Sequence, residues 1–412
     1  MQALQNELSA ARVVIKSAEV QTDSLEKENS ELKMAQAKAT DKRFFEWAKA
    51  KATEEAAFTG PIEEFCPSDD PVPSDLVSEY WIGLDLGGTT VSAVLVDSMG
   101  AILAKTSQKI PEDAKTPNKI ASNLAAAAET VLESSGVSLL EISGIGLGTP
   151  GNLDFDLGLV KNASNFPDWK DVPLPAMVEA ALEIKIATVD GSKPCQWPVV
   201  LENDANAALL AEVWAGAGKG KDHVVMITLG TGIGGGVWSD GRVLKGARGM
   251  AGEIGHMILE RDGRLNSGTG VRGIAEEYAS AGGIGRWGRE LVSEGTKTSL
   301  SSVPVEEIDA RLIFEHADAG DSACIELLST AMEVLGILCI DVCRAYDPEV
   351  IVMTGGLTLR GSKLFDAVWN VFLKHHWSIQ EPTCRIVPAE CGNEAGAIGA
   401  AYAAKLKLLV KN

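Results

Sequence analysis

Apolar residues in this chain fall into short runs that end in glycine. Trp81, Ile82, Gly83 and Leu84 lead into Asp85, the pair Gly87–Gly88 and the pair Thr89–Thr90, and a second apolar run covers Val91 to Val96. The pattern predicts a strand, a tight reversal and an antiparallel partner, because a Gly-Gly reversal needs backbone angles that only glycine adopts cheaply. Glycines also let main-chain N–H groups approach an anion, and the threonine hydroxyls add donors. Asp85 stands where the strand enters the turn. Beside a phosphate cradle such an acid needs Mg²⁺ between itself and the phosphate; in an ordinary hairpin it is a satisfied turn residue. This stretch alone leaves both readings open. It has neither the GxxxxGK[ST] of a P-loop nor a GxGxxG opening a helix.

The pattern recurs in VVMITLGTGIGGGV (Val224–Val237) and EVIVMTGGL (Glu349–Leu357). Three strand-to-glycine turns predict a duplicated architecture. Two hairpins, at Gly87–Thr90 and at Gly230–Gly236 with Gly230, Thr231 and Gly232, would serve phosphates, and a turn at Gly355–Gly356 would serve a nucleoside. Between them the chain reads as a strand at Ala101–Ile110, an Ala-rich helix at Asn118–Ser134 and a buried strand at Ile142–Leu147. An irregular stretch follows, Asn162–Pro175, with Asn165, Pro167 and Trp169; loops of that length are commonly functional or disordered. Next come a helix at Met177–Ile184, a surface insertion at Thr188–Pro198 and a strand at Val199–Leu201. In ENDANAALLAEVWAG, Asn203 and Asp204 fall at a strand's end and helical spacing starts at Asn206. Polar groups at such a junction face the ligand crevice of an α/β sheet, although Asp204 as a helix cap accounts for the pattern equally well. In MAGEIGHMI, Glu253 and His256 share one face of a helical turn, as a structural pair or as ligand contacts. The remainder predicts apolar helices at Thr330–Ala345 and Phe365–Lys374, a short strand at Arg385–Val387, and a small-residue helix at Glu394–Ala404 that packs closely on the first domain.

DLGGTT, ENDANAA, LGTGIGGG, GEIGH, TGGL and NEAGAIGAA, in that order from about Tyr80 to the C-terminus, resemble the sugar kinases of the ROK family (repressor, open reading frame, kinase). The resemblance implies a two-domain actin-like ATPase fold, related to ribonuclease H, with duplicated mixed sheets and the active site in the cleft between them. It implies that Asp204 is the base that takes the proton from a sugar hydroxyl. Asn203, Glu253, His256 and Glu276 would contact the sugar, with Asn165 a further candidate. The cofactors implied are ATP and Mg²⁺, the metal held by Asp85 directly or through water. The family also carries three cysteines that join the His in a structural zinc site. Here their positions are Ser267, Thr269 and Ile274, and one imidazole, two hydroxyls and an isoleucine cannot build a tetrahedral site, so no zinc is expected.

Residues 1–57 differ from the rest. Leu4, Ala11, Ala18, Leu25 and Leu32 are spaced by seven with Leu8 and Ile15 between, a heptad stripe that weakens at Thr22 and Asn29. A solvated or disordered extension and a short coiled coil aiding a homodimer both fit. Residues 58–78, acidic and proline-rich, read as a linker. The expected division beyond it is a small domain at 79–202 completed by the C-terminal helix 394–412, and a large domain at 203–393. The early acids and the lack of a basic start before an apolar run predict no secretory or mitochondrial address, and no membrane span is expected. Seven scattered cysteines read as reduced, in a cytoplasmic protein.

The formal net charge of −20 argues against a nucleic-acid partner but not against ATP, which a few local donors and a metal can hold. The leading expectation is an ATP-dependent hexose kinase, with glucose and its 6-hydroxyl favoured because FPDWKDVPL resembles the glucokinase version. Fructose, mannose and N-acetylmannosamine are the alternatives. A sugar-responsive repressor would need a basic helix-turn-helix that the N-terminal region does not suggest, and a non-catalytic sensor would not need Asp85 and Asp204.

Overall fold

The structure, a computed structural model, describes residues 79–138, 141–163, 165–190, 197–379 and 381–410. The heptad stripe, the linker and most of the Thr188–Pro198 insertion therefore lie outside the described residues.

The first half contains β1 (Tyr80–Leu86), β2 (Thr90–Val96), β3 (Ile102–Lys109), α1 (Pro117–Ser135), β4 (Ile142–Thr149), β5 (Asn152–Asp154), β6 (Leu159–Asn162), α2 (Leu174–Asp190) and β7 (Val199–Asn203). Proline at the first turn starts α1 and Gly136, at φ +70°, ends it in the left-handed conformation that glycine tolerates. The second half contains α3 (Asp204–Ala215), β8 (His223–Leu229), β9 (Ile233–Ser239), β10 (Arg242–Val243), α4 (Ala275–Ala279), α5 (Ala281–Ser293), α6 (Ala310–Asp318), α7 (Ser322–Tyr346), β11 (Val350–Thr354), α8 (Ser362–His375) and β12 (Arg385–Pro388). The chain closes with α9 (Ala395–Val410).

Two five-stranded sheets result, in the orders β3-β2-β1-β4-β7 and β10-β9-β8-β11-β12. Each has an antiparallel hairpin at its start, β1–β2 and β8–β9, and parallel neighbours beyond it, β4 and β7 or β11 and β12. The two halves thus repeat one topology, as the recurring glycine turns predict.

Strand alternation sorts the side chains into three cores. Ile82, Leu84 and Leu86 of β1 face α1 and α2, while Trp81 faces the other way. Val225, Ile227 and Leu229 of β8 enter a core built around α7, while Val224 and Met226 face the opposite side. Trp81, Val224 and Met226 meet in a third core between the sheets, filled by Leu209, Leu210 and Trp214 of α3 and by Ala397, Ile398 and Ala401 of α9. The contact there is backbone on backbone: a Cβ on Gly83, Gly146 or Gly399 would overlap the carbonyl oxygen of Ala397, Ala400 or Ala207.

Several boundaries differ from expectation. Helix α2 starts at Leu174, three residues before Met177, and runs through Thr188 to Asp190. The irregular stretch before it is not loose: Phe166 and Trp169 are buried and stacked at 4.4 Å, and the Trp169 indole donates to the Lys115 carbonyl. Among the described residues α7 is the one helix that by length and composition could cross a membrane, and its Leu327–Val342 face is buried in the second core.

Gly146→Ala is expected to lower stability by about 3 kcal/mol or more, the upper end for overpacking, because main chain rather than a movable side chain blocks the methyl group. Thermal or urea unfolding measures this; a wild-type midpoint would mean that α9 does not press on the sheet.

Candidate active site

The functional side chains sit where strands end. At the end of β7, the Asn203 side-chain oxygen accepts the N–H groups of Ala205 (3.0 Å) and Asn206 (3.2 Å). Asn203 is therefore the N-cap of α3. The alternative reading of Asp204 as the cap gives way to this neighbour, and Asp204 becomes the first helical residue, accepting the Ala205 N–H at 2.9 Å. Its carboxylate borders a pocket of about 300 Å³ with Asn152, Phe155, Asn203, Gly235, Met250 and Glu253.

Asp85, the penultimate residue of β1, lies against the N-terminal turn of α9, where a Cβ on Gly396 would stand 2.6–2.8 Å from the carboxylate. It has no ion-pair partner among the described residues. Burial, and after it the charge of Asp204, push its carboxyl up to about 6. Burial also raises Asp204, against hydrogen bonds from Ala205 and Asn203 that hold it down. Two crowded carboxylates without a cation suit a bound divalent ion, and Asp85 is the side chain here that could hold Mg²⁺.

The glycine turns lie around these acids. In the first, Gly87 N–H bonds the Thr90 carbonyl at 2.8 Å. In the second, Gly230 N–H bonds the Gly232 carbonyl at 3.0 Å, and the Gly230 and Thr231 carbonyls accept the N–H groups of Ala281 (2.9 Å) and Gly282 (3.1 Å) at the start of α5. In the third, Gly355 takes φ +99° and lies against the Leu229 main chain, where no side chain fits. A cavity of about 600 Å³ opens beside the second and third turns, lined by Thr231, Gly282, Arg289, Phe314, Gly356 and Leu357. The Gly230–Gly236 hairpin therefore borders both spaces: Thr231 lines the larger, Gly234 and Gly235 the smaller.

Not every expected sugar contact meets Asp204. Asn203 and Glu253 line its pocket; Asn165, His256 and Glu276 are not among the lining residues. Asn165 packs on Gly88, where a Cβ would come 2.8 Å from its Cγ. Glu276 accepts the Ile233 N–H at 2.9 Å and braces the second turn. Glu253 immediately precedes the short 3-10 turn Ile254–His256, and both it and His256 are exposed. Asn152, Phe155 and Met250, and Arg289 and Phe314 in the larger cavity, carry no motif and were not foreseen from the sequence; the nearest signal was the GTPG that precedes Asn152.

Ser267 and Thr269 are exposed and Ile274 is buried, and among the described residues no cluster of three or more His, Cys, Asp or Glu side chains is arranged to hold a metal ion. Hydrogen bonds hold this loop. Buried Asn266 donates to Glu277 (3.1 Å) and accepts from the Thr269 N–H (2.9 Å) and hydroxyl (3.0 Å), and Glu277 pairs with Arg286 at 2.6 Å.

The ROK family model matches residues 81–407. The chain belongs to the ROK family. The glucokinase of Thermotoga maritima is 35% identical over 333 residues, 79% of this chain and 98% of its own. The ROK hexokinase from Thermus thermophilus superposes with a TM-score of 0.67 at 33% identity, over 80% of this chain and 99% of its own. A ROK glucokinase from Streptomyces griseus, solved with glucose and AMPPNP, superposes at 0.60 with 31% identity, over 79% and 99%. The ROK sugar kinases share the actin-like ATPase fold, and the duplicated sheets described above are its two halves.

Two expectations follow for this ROK protein. Asp85→Asn should stabilise the metal-free form by roughly 1–3 kcal/mol at pH 7, since a carboxyl raised from 3.8 to about 6 makes its ionised form costly in the fold. That cost is full above pH about 6, where Asp85 is ionised in both states, shrinks as pH falls from there towards the ordinary value of 3.8, and is gone below it, where both states are protonated. The gap between wild-type and variant melting temperatures should close over that window; equal melting at pH 7 would contradict it. Second, elemental analysis of the purified protein should find no stoichiometric zinc; one zinc per chain would overturn the reading of Ser267, Thr269 and Ile274.

Proposed function

We propose that this protein transfers the γ-phosphoryl group of ATP to a hexose, with glucose and its 6-hydroxyl as the favoured acceptor. The observation that carries the reading is the Gly230–Gly236 hairpin, which stands between a cavity large enough for a nucleoside and a small polar pocket that holds Asp204. The glucokinase relatives, one of them holding glucose and AMPPNP together, support the choice of both substrates.

Phosphoryl transfer asks a protein for position and charge stabilisation more than for covalent chemistry. The sugar lies in the smaller pocket, its hydroxyls meeting Asn203, Asp204 and Glu253. Asp204 accepts the proton of the attacking hydroxyl; the oxygen bonds to the γ-phosphorus, the bond to the β-phosphate oxygen breaks, and ADP leaves. The raised affinity of Asp204 for a proton suits a base that must take one and release it later. The Gly87 and Gly230 N–H groups close their own turns, which leaves those of Gly88, Thr89, Thr231 and Gly232 to meet the phosphates. Asp85 would hold Mg²⁺, which would neutralise charge on the phosphate oxygens. Glu276 keeps the second turn in shape through Ile233. We place the domain boundaries at 79–202 with 394–412, and at 203–393, so that the two domains close on the ligands and exclude water.

A panel of hexoses with ATP and Mg²⁺, read as ADP release, tests the reading, and glucose should give the highest kcat/KM. Asp204→Ala should lower kcat by about 10²–10⁴-fold while both substrates still bind. No ADP release with any hexose would favour a sensor over an enzyme, and near wild-type kcat in a folded variant would remove Asp204 from the mechanism.

A further inference from the structure

Glu202, the residue before the Asn203–Asp204 pair, is a carboxylate with only 5% of its side chain exposed. One oxygen accepts the Asn203 N–H at 3.0 Å and the Asn206 side-chain amide at 3.2 Å. It therefore holds both sides of the junction that presents Asp204. The other oxygen accepts Lys245 Nζ at 2.7 Å. Lys245 follows β10 in the second half, and its ammonium also stands 3.7 Å above the centre of the Phe155 ring, just beyond β5 in the first half.

The three segments that meet here form three walls of the Asp204 pocket, and Gly234–Gly235 of the second hairpin forms the fourth. Phe155 lines one side and Asn203–Asn206 another. The chain from Lys245 onward supplies the third, through Gly249, Met250, Ala251 and Glu253. That third wall has little regular structure of its own. Gly246, Gly249 and Gly252 have φ of +70°, +74° and +93°, and the Ala251 N–H bonds back to the Lys245 carbonyl at 3.1 Å. Gly249 packs on Phe155, where a Cβ would stand 3.0 Å from the ring. A glycine-rich wall takes its position from its anchors, and Lys245 is the anchor bonded across the cleft. Glu202 is the buried partner and Lys245 is half-buried, so removing the ammonium is the costly change, because it leaves a buried carboxylate without its cation.

The geometry points to Lys245 and Glu202 as a positioning pair: their ion pair, with Phe155 beneath it, holds the 245–253 wall against the base-bearing junction and so sets the shape of the sugar pocket before sugar arrives. This rests on the hexose-kinase reading of the pocket. Neither residue touches the reacting atoms; each acts through the pocket wall and the Asn203–Asp204 turn.

The test uses the full chain carrying Lys245→Met, Glu202→Gln or Lys245→Arg. Lys245→Met keeps the aliphatic stem over Phe155 and removes the charge; Glu202→Gln keeps an acceptor for Asn203 and Asn206. Both should raise the KM for hexose about tenfold or more, the scale of loss from a small misplacement, and leave the KM for ATP within about twofold. Amide hydrogen exchange over residues 245–252 should become faster in both, while Lys245→Arg restores slow exchange and the hexose KM. The pair is overturned if Lys245→Met keeps wild-type hexose KM and wild-type exchange. It is also overturned if the KM values for hexose and ATP rise together with a general gain in exchange, which would indicate loss of fold. If the wild-type protein phosphorylates no hexose, the kinase reading fails on its own, and exchange over residues 245–252 still decides whether the ion pair holds the wall.

Discussion

The molecule depends on main chain meeting main chain in the core between its two sheets. At Gly83 and Gly146 the first sheet offers no side chain, and the Ala397 and Ala400 carbonyls of α9 fill the space; Gly399 offers none to α3, and the Ala207 carbonyl fills that. Packing this tight leaves no slack for a methyl group and fixes the helix to a fraction of an ångström. It also sets the active site. Gly396, one turn earlier on α9, lies against Asp85, and Ala207 lies one turn beyond Asp204 on α3. The spacing of the two acids is thus inherited from the packing of the two central helices.

The charges at the site run against stability. Asp85 has no cationic partner among the described residues, and both it and Asp204 bind protons more tightly than ordinary carboxyls. Glu202, a few ångströms along the chain and more deeply buried, is instead fully engaged by Lys245, Asn206 and main chain. Neighbouring acids therefore divide the work: the one paired with a lysine builds the pocket, and the two without a cationic partner among the described residues stay available for a metal ion and a proton.

Much of this was legible in the residues. The three glycine turns, the junction at Asn203–Asp204 and the two-fold repetition follow from strand alternation and from backbone angles reserved for glycine, both local properties. What stayed hidden depends on distant contacts. Phe155, Met250 and Lys245 stand in loops without period or motif and Arg289 lies inside α5 with no motif to mark it, and only tertiary packing brings them to or beside a cavity. Glu276 shows a different limit: the family pattern that implies a sugar contact gives no sign that one oxygen of its carboxylate accepts the Ile233 N–H of the second turn. Asn165 likewise stands on Gly88. Helix α2 begins earlier than its pattern implied because the stacked Phe166 and Trp169 anchor the preceding stretch and carry the chain directly into the helix.

The order of the elements along the chain has a temporal consequence. β1 is the first described strand, and the helix that covers one of its faces is the last described element, more than three hundred residues later. During synthesis the first sheet can form its hairpin and receive α1 and α2, but Trp81, Val94 and Val96 wait for α9 residues made about three hundred positions later. Contacts of such long sequence separation form late and slowly. The nascent chain therefore carries an open apolar face until α9 has been made, and a chain stopped short of Ala395 would keep that face exposed to chaperones and to aggregation.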